Sequence, residues 1–171
     1  MRRFYTPSDI SRLCASLRTI KADPFVACDI IAGFPCESPD DFELTYTLCK
    51  DSRFAFIHAF PFSPRPGTEA AAFSGRVSER EATERVKRLG ALAKAGKEAY
   101  IERWLNKEQS ILIEAGNQGV SDNYLRLDLS GNPLPLPLIG SRVRCRILPL
   151  TDAKESSLQS RFDARAVLDG V

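Results

Sequence analysis

Apolar residues in the first part of the chain recur first at helical spacing and then as a continuous run. Between Pro7 and Ile20 they fall at three- and four-residue steps, which predicts a first helix with Thr6 or Ser8 as its N-cap. The apolar run from Phe25 to Ala32 has the length and β-branched content of a strand. Because the run shows no alternation, we expect a strand buried on both faces, as in a parallel sheet.

A second helix and a second strand follow in the same order. Ser38-Pro39-Asp40-Asp41 supplies an N-cap, a proline in the first turn and two acids near the positive end of the helix dipole. A second strand is predicted near residues 54 to 62, ending in the turn-forming Ser63-Pro64-Arg65-Pro66-Gly67-Thr68. The order helix, strand, helix, strand predicts part of an α/β barrel or a doubly wound sheet.

The pattern changes after a long third helix, which is predicted from Ser78 to about Trp104 with Ser78 and Glu81 spaced as a capping box. Short segments follow, several with strict apolar-polar alternation, separated by Gly, Asn and Pro. They are residues 110–114, 124–129, 142–147 and 161–167. The predicted fold class is therefore α/β followed by a small all-β barrel, in two domains at residues 1–104 and 105–171.

Composition narrows the function only slightly. The chain of 171 residues has 24 Lys and Arg against 22 Asp and Glu, so its net charge of +2 does not by itself indicate a nucleic-acid binder. No run approaches the roughly 18 apolar residues of a membrane span, and the start lacks the apolar core of a signal peptide. We therefore expect a cytoplasmic protein without a membrane partner. Five cysteines, at 14, 28, 36, 49 and 145, fit neither a disulfide framework nor a zinc site, and most are expected to be buried.

One strand of the β-domain is predicted to carry an arginine-rich face. In Arg142-Val143-Arg144-Cys145-Arg146-Ile147 the two-residue period puts three arginines on one face and apolar side chains on the other. Residues 124–129 repeat the scheme, with Tyr124 and Arg126 outward. If the strands pair, these side chains form one surface for phosphates and stacked bases, which predicts RNA binding. The alternative is a solvated charged face, since residues 106–171 hold eight basic and eight acidic side chains.

Two loops follow the predicted parallel strands, at the carboxyl ends where α/β folds have their active and ligand-binding sites. Gly33-Phe34-Pro35 lets the backbone approach a ligand closely, and Arg65 offers a planar fork for a carboxylate or phosphate. In each case an ordinary turn is the alternative. His58, the only histidine, is expected to be a core or substrate-facing imidazole, because a metal site needs further ligands at suitable spacing.

Three segments of the chain match, in register, the motifs of one enzyme family. They are Met1-Arg2-Arg3-Phe4-Tyr5-Thr6, similar to Met-x-Arg-x-Tyr-Thr; Asp29-Ile30-Ile31-Ala32-Gly33-Phe34-Pro35-Cys36-Glu37-Ser38, similar to Asp-x-Ile-x-Gly-Phe-Pro-Gly-Glu-Thr; and His58-Ala59-Phe60-Pro61-Phe62-Ser63-Pro64-Arg65-Pro66-Gly67-Thr68. By these motifs the chain resembles the radical-SAM tRNA methylthiotransferase family. Ser121-Asp122-Asn123-Tyr124 and Leu138-Ile139-Gly140 resemble the TRAM domain of these enzymes. The resemblance implies part of a radical-SAM α/β barrel with its linking helix, followed by an OB-like, RNA-binding TRAM barrel.

The resemblance also implies a substrate. The segments around His58 and Asp122-Asn123-Tyr124 are most similar to the branch that methylthiolates threonylcarbamoyl-adenosine beside the anticodon, so the expected partner is the tRNA anticodon stem-loop. Arg65-Pro66 differs from the glutamate that is usual in the branch acting on a ribosomal-protein aspartate. The branch that acts on isopentenyl-adenosine remains the alternative.

Cofactor roles follow from the same resemblance. In the family, S-adenosylmethionine binds across the carboxyl ends of the barrel strands, and two 4Fe–4S clusters serve radical formation and sulfur supply. Arg3 would then hold the carboxylate of the cofactor, and the backbone of Gly33, Phe34 and Pro35 would border it. The implied substrate-side residues are His58, Ser63, Arg65, Gly67 and Thr68.

The sequence departs from the family in its cysteines. The radical cluster requires Cys-x-x-x-Cys-x-x-Cys, and no cysteines of this chain have that spacing. We therefore expect no metal site and no activity from the chain alone. Met1 falls on a motif that is internal in full-length members of the family. The chain would then supply tRNA binding and part of the pocket to an N-terminal part that carries the clusters. A stand-alone, non-catalytic RNA-binding module is the alternative. Cys36 stands at a family glycine, where a side chain is expected only if φ is negative.

Overall fold

A computed structural model describes residues 3–130, 138–150 and 162–168 of the chain. Met1 and Arg2 of the first motif, and Arg161 of the last predicted strand, lie outside these residues. The chain forms two compact units, Met1–Glu98 and Ala99–Val171. Within the described residues, no helix combines the length and the apolar character that crossing a bilayer demands.

The first unit contains the predicted alternation of helices and strands. Its elements are α1 (Pro7–Ile20), β1 (Ala27–Ala32), α2 (Pro39–Asp51), β2 (Phe56–Pro61), a 3-10 helix (Glu69–Ala72) and α3 (Glu79–Glu102), whose last residues belong to the second unit. Thr6 and Ser38 form complete capping boxes with acids three residues later, so both predicted helix starts are confirmed. At the start of α3 the Glu81 N–H donates to the Ser78 hydroxyl at 3.2 Å.

The two strands of the first unit pair in parallel, with Asp29 opposite His58 and Ile31 opposite Phe60. The prediction that the first strand is buried on both faces is wrong, because alternate residues of β1 are exposed. One face of this sheet packs on the core, where Ala32 and Ile57 are buried. The other face presents exposed side chains, and we call it the open face. Its members are Ala27, Asp29, Ile31, Phe56, His58 and Phe60.

The core of the first unit joins all three helices to the sheet. Its buried residues are Cys14, Ala32, Phe42, Cys49, Phe54, Ile57 and Leu89. Cys28 packs against this cluster from β1, and its hydrogen bond to Cys49, together with burial, raises the pKa of its thiol above the ordinary range. Cysteines here act as small apolar side chains, as the sequence predicts for most of them.

The second unit is a closed five-stranded barrel. Its strands are β3 (Glu108–Glu114), β4 (Gln118–Ser121), β5 (Arg126–Asp128), β6 (Arg142–Leu148) and β7 (Ala164–Leu168), in the order β3-β4-β5-β7-β6. Alternation along each strand fills the interior with side chains that are at most 1% exposed, among them Ile111, Ile113, Leu125, Leu127, Cys145 and Ile147. The sequence pattern predicts this packed face correctly and misses β4, which is only four residues long.

Two expectations for the basic face are wrong. β5 and β6 do not pair, because β7 lies between them, parallel to β5 and antiparallel to β6. Arg126 is therefore not a direct neighbour of the β6 arginines. Tyr124 is not in a strand either: its φ of 62° places it in a turn, with its side chain 68% exposed. That turn is closed by hydrogen bonds from the backbone N–H groups of Tyr124 and Leu125 to Ser121.

Candidate functional site: a motif-lined cavity

A cavity of about 610 Å³ lies within the first unit, at the carboxyl ends of its two strands. It is walled by the open face of the sheet, the loop after β2 and the segment before α1. The lining residues are Arg3, Tyr5, Asp29, Ile31, Phe34, Phe60, Pro61, Phe62, Ser63, Arg65, Thr68 and Ala70. A cavity of this size with mostly apolar walls and a few charged groups suits a small organic ligand.

Aromatic rings form the apolar wall of this cavity. Phe34 meets Phe62 edge to face, with ring centroids 5.2 Å apart, and meets Phe73 in the same way at 6.2 Å. Edge-to-face pairs of this kind fix ring orientation as well as burying area. The loop after β1 and the loop after β2 are thereby packed on one another, and the aromatic side of the cavity has a defined shape.

A buried ion pair holds the loop after β1 in place. The Glu37 carboxylate accepts from the Gly33 N–H and from the Arg85 guanidinium, each at 2.5 Å, while Arg85 also donates to the Glu37 carbonyl at 3.1 Å. The Arg85 side chain is 5% exposed and that of Glu37 is 12% exposed. Arg85 also pairs with Glu81 one turn earlier on α3. The loop that carries Phe34 into the cavity wall is therefore fastened to α3 by charge-assisted hydrogen bonds.

Gly33 serves packing more than ligand approach. Its φ is +75°, and a Cβ at this position would lie 2.6 Å from the Cβ of Ala82 on α3. A side chain is therefore excluded both by conformation and by the close approach of the helix. The sequence predicts that the backbone of Gly33 approaches a ligand, whereas in the structure it approaches helix α3.

Cys36 contradicts the expectation that a side chain at this position needs a negative φ. Its φ is +67°, in the left-handed region that favours glycine. Local bonds hold the residue there, since its N–H donates to the Gly75 carbonyl at 2.8 Å and its Sγ lies 3.4 Å from the Ser74 carbonyl oxygen. The departure from the family glycine is thus accommodated, with conformational strain.

The loop after β2 brings a cation to the cavity. A turn is closed by the Thr68 N–H and hydroxyl, which donate to the Arg65 carbonyl at 3.2 and 2.8 Å. Among the residues described, neither Arg65 nor Arg3 has a carboxylate within ion-pair distance, although Asp29 lines the same cavity. Both guanidiniums are consequently available for an anionic group of a ligand.

The structure brings together five of the nine residues predicted for this pocket. Those lining the cavity are Arg3, Phe34, Ser63, Arg65 and Thr68, while Gly33, Pro35, His58 and Gly67 do not line it. His58 lies beside it, with Nδ1 3.7 Å from Oδ1 of Asp29. The sequence did not identify Asp29, Ile31 and Phe60 as cavity residues, because strands predicted to be buried have no side chains facing a ligand. A signal was present in Asp29, a charged residue within an apolar run.

The arginine surface of the barrel is partly neutralised. Arg142 pairs with Asp122, and Arg146 lies 3.5 Å from Glu108, its partner in the strand register. Arg144 stands opposite Ser110 and, among described side chains, has no carboxylate partner. Exposed pairs of this type are weak, so the paired arginines can exchange a carboxylate for a phosphate at small cost.

The two cofactors implied by the resemblance fit the described residues differently. S-adenosylmethionine carries an adenine ring, a carboxylate and two positive groups, and the cavity offers aromatic walls, Arg3 and Asp29 as complements. An iron-sulfur cluster does not fit, since no group of three or more potential metal ligands occurs within the described ranges. Three of the cysteines are instead buried, two of them in the core of the first unit.

No protein-family model matches the chain. Curated relatives do match it. A threonylcarbamoyladenosine tRNA methylthiotransferase MtaB of Treponema pallidum is 43% identical over 148 residues, which cover 86% of this chain and 31% of the relative. The chain is homologous to tRNA methylthiotransferases. The MtaB of Thermotoga maritima is 36% identical over 77% of this chain and 32% of its own length. A tRNA-2-methylthio-N(6)-dimethylallyladenosine synthase of Geobacter metallireducens is 35% identical over 86% and 34%, respectively. The chain thus spans about a third of the length of these methylthiotransferase relatives.

Proposed function

We propose that this chain forms the C-terminal portion of a tRNA methylthiotransferase that acts on threonylcarbamoyladenosine, with residues 1–104 contributing to the cofactor and substrate pocket and residues 105–171 binding tRNA. The observation that carries the proposal is the cavity. Residues from all three motif segments, which are separated in sequence, line this one cavity of about 610 Å³. The similarity to the two MtaB proteins supports the threonylcarbamoyl branch.

The charges of the cavity support a zwitterionic ligand. Arg3 is suited to the carboxylate of S-adenosylmethionine, and the Phe34 and Phe62 rings to its adenine. When bound, this cofactor supplies a methyl group and the precursor of a radical. The residues of this chain orient it, exclude water with their aromatic wall, and leave cluster ligation to another part of the enzyme, because Cys-x-x-x-Cys-x-x-Cys is absent from the sequence.

The exposed arginines of β6 support the tRNA-binding role. Three guanidiniums project from one face of a single strand, with Arg144 available and the other two in exposed pairs. Such a row matches the spacing of a phosphate backbone better than it matches base edges, so we expect it to position the RNA. Tyr124, in the turn before β5, and Arg126, in β5, would make separate contacts.

The test of the tRNA role is binding of the whole chain to tRNA at several salt concentrations. Changing Arg142, Arg144 and Arg146 together to Ser should weaken binding and reduce the slope of log K against log salt by about 2 to 3, because each lost phosphate contact lowers it by roughly 0.9. A matched control changes Arg12, Lys87 and Lys94 to Ser, which removes the same charge from side chains that are 77–78% exposed on α1 and α3. Equal slopes for the two triple variants would remove the β6 surface from the proposal.

A second experiment tests whether another part of the enzyme binds the radical-forming cluster. The purified chain, reconstituted with iron and sulfide, should not release 5′-deoxyadenosine from S-adenosylmethionine. Adding a polypeptide that carries the Cys-x-x-x-Cys-x-x-Cys segment of an MtaB relative should restore that release. Release by the chain alone would contradict the assignment of the cluster to another part.

One observation favours a second candidate, a stand-alone RNA-binding module. The barrel is a compact unit with a closed sheet and its own core, so it does not need the first unit to complete its strands. The two candidates differ in the cavity. The module is favoured if the chain binds tRNA through the β6 arginines while S-adenosylmethionine has no effect on the first unit.

A further inference from the structure

The open face of the first unit is apolar except for one pair of side chains. Ile31, Phe56 and Phe60 are each 38–39% exposed on this face. Between them lie Asp29 and His58, opposite one another in the strand register, with Nδ1 of His58 3.7 Å from Oδ1 of Asp29. An exposed pair of this kind contributes little to folding, so the fold gives no reason for it.

The imidazole of His58 is held at the border of the cavity. Its ring centroid lies 4.0 Å from that of Phe60 and 6.0 Å from that of Phe56. Phe60 and Asp29 both line the cavity and both lie next to His58, so the imidazole borders the cavity. Its side chain is 56% exposed, which leaves the ring edge accessible to a ligand. Rings on either side restrict rotation, and Asp29 attracts Nδ1, so Nε2 remains for a ligand.

A polar group within an apolar wall discriminates between ligands that do and do not satisfy it. The substituents named for the relatives differ in this respect: threonylcarbamoyl carries a carboxylate, a hydroxyl and urea N–H groups, whereas dimethylallyl carries only carbon and hydrogen. Bound dimethylallyl would cover the Asp29–His58 pair without offering it a hydrogen bond. The cation Arg65 on the same cavity favours the anionic substituent as well.

We propose that His58, oriented by Asp29, is a specificity-determining residue that hydrogen-bonds the polar N6 substituent of the substrate adenosine. This inference rests on the proposed function, since it concerns the same cavity. It assigns to His58 the selection of threonylcarbamoyl over dimethylallyl, and to Phe60, whose ring lies 4.0 Å from that of His58 and lines the cavity, the contact with the base. Asp29 is a positioning residue for the imidazole.

Because His58 is the only histidine, its ring protons give isolated NMR signals in the full chain. The probes are the nucleosides threonylcarbamoyladenosine, dimethylallyladenosine and adenosine, titrated at fixed pH. The first should shift the His58 signals and bind about tenfold more tightly than the second. His58→Phe keeps a ring on Phe60 and should abolish that preference, while His58→Gln should restore part of it and Asp29→Asn should reduce it. Lys94→Ala, which is remote on α3, serves as the control.

The outcomes separate the two proposals. If threonylcarbamoyladenosine is preferred but His58→Phe leaves the preference unchanged, the role of His58 is wrong and the pocket assignment stands. If His58→Phe weakens both modified nucleosides equally, His58 supports the wall and does not select. Should none of the three nucleosides bind the correctly folded chain, both the pocket assignment and the role of His58 are overturned. Melting curves that match the wild type confirm folding of each variant.

Discussion

The Glu37–Arg85 pair offers the sharpest test of how the cavity is held. Glu37→Gln keeps the shape of the side chain and removes its charge. Two hydrogen bonds, from the Gly33 N–H and from Arg85, then become neutral on the acceptor side. Bonds to charged groups contribute roughly 1.5–3 kcal/mol and neutral ones roughly 0.5–1.5, so we expect a loss of about 2 kcal/mol. Glu37→Ala, which leaves the Arg85 charge buried with Glu81 alone, should cost more, about 3–5 kcal/mol.

The assay is thermal unfolding followed by helical circular dichroism. For a unit of this size a loss of about 2 kcal/mol lowers the melting temperature by roughly 8–16 °C. The matched control is Glu43→Gln, which removes one charge from the exposed Arg88 pair and should produce a much smaller shift. If Glu37→Gln melts no earlier than Glu43→Gln, the buried pair does not fasten the loop, and our account of the cavity wall is wrong.

Three further predictions concern single positions. Gly33→Ala should destabilise the protein by about 3 kcal/mol, measured by urea unfolding, because it combines a left-handed backbone with a clash on Ala82; a neutral effect would contradict the close packing. Cys36→Val should cost roughly 2 kcal/mol while Cys36→Gly costs none, since a β-branched residue is disfavoured at φ +67°; equal melting temperatures would show that no strain is present. The hydrogen bonds from the Ser38 hydroxyl and N–H lower the pKa of Asp41 below its ordinary 3.8. The stabilisation they give is therefore present above that pH and is lost as pH falls through the lower folded-state pKa, so wild type should lose more stability than Asp41→Asn on acidification; parallel pH profiles would refute this.

Local features were predictable because their causes are local. The helix starts at Thr6 and Ser38 follow from side chains that bond backbone groups three residues away, and the structure confirms both capping boxes. The alternation of Leu125, Leu127 and Leu129 likewise predicts their burial, since a two-residue period assigns each side chain to one face. These interactions need no knowledge of the rest of the chain.

Relations between distant segments were not predictable in the same way. Nothing in Arg126 or Arg142 reveals that β7 lies between their strands, because pairing is decided by the closure of the whole barrel. The roles of Gly33 and Cys36 depend on α3 and on Gly75, which are 39 or more residues away in the chain. A glycine in the sequence indicates that a side chain is excluded at that position, but not whether a ligand or a helix excludes it.

The sequence by itself determined the α/β and all-β halves, the missing cluster cysteines and the motif segments, since each depends on residue type and short-range spacing. Only the tertiary structure decided that three of those segments share one cavity, that one face of the sheet is open, and that Asp29 meets His58. The physical reason is that a pocket is made by side chains from different strands and loops. Their distances are set by the packing of the sheet on its helices, which no single segment encodes.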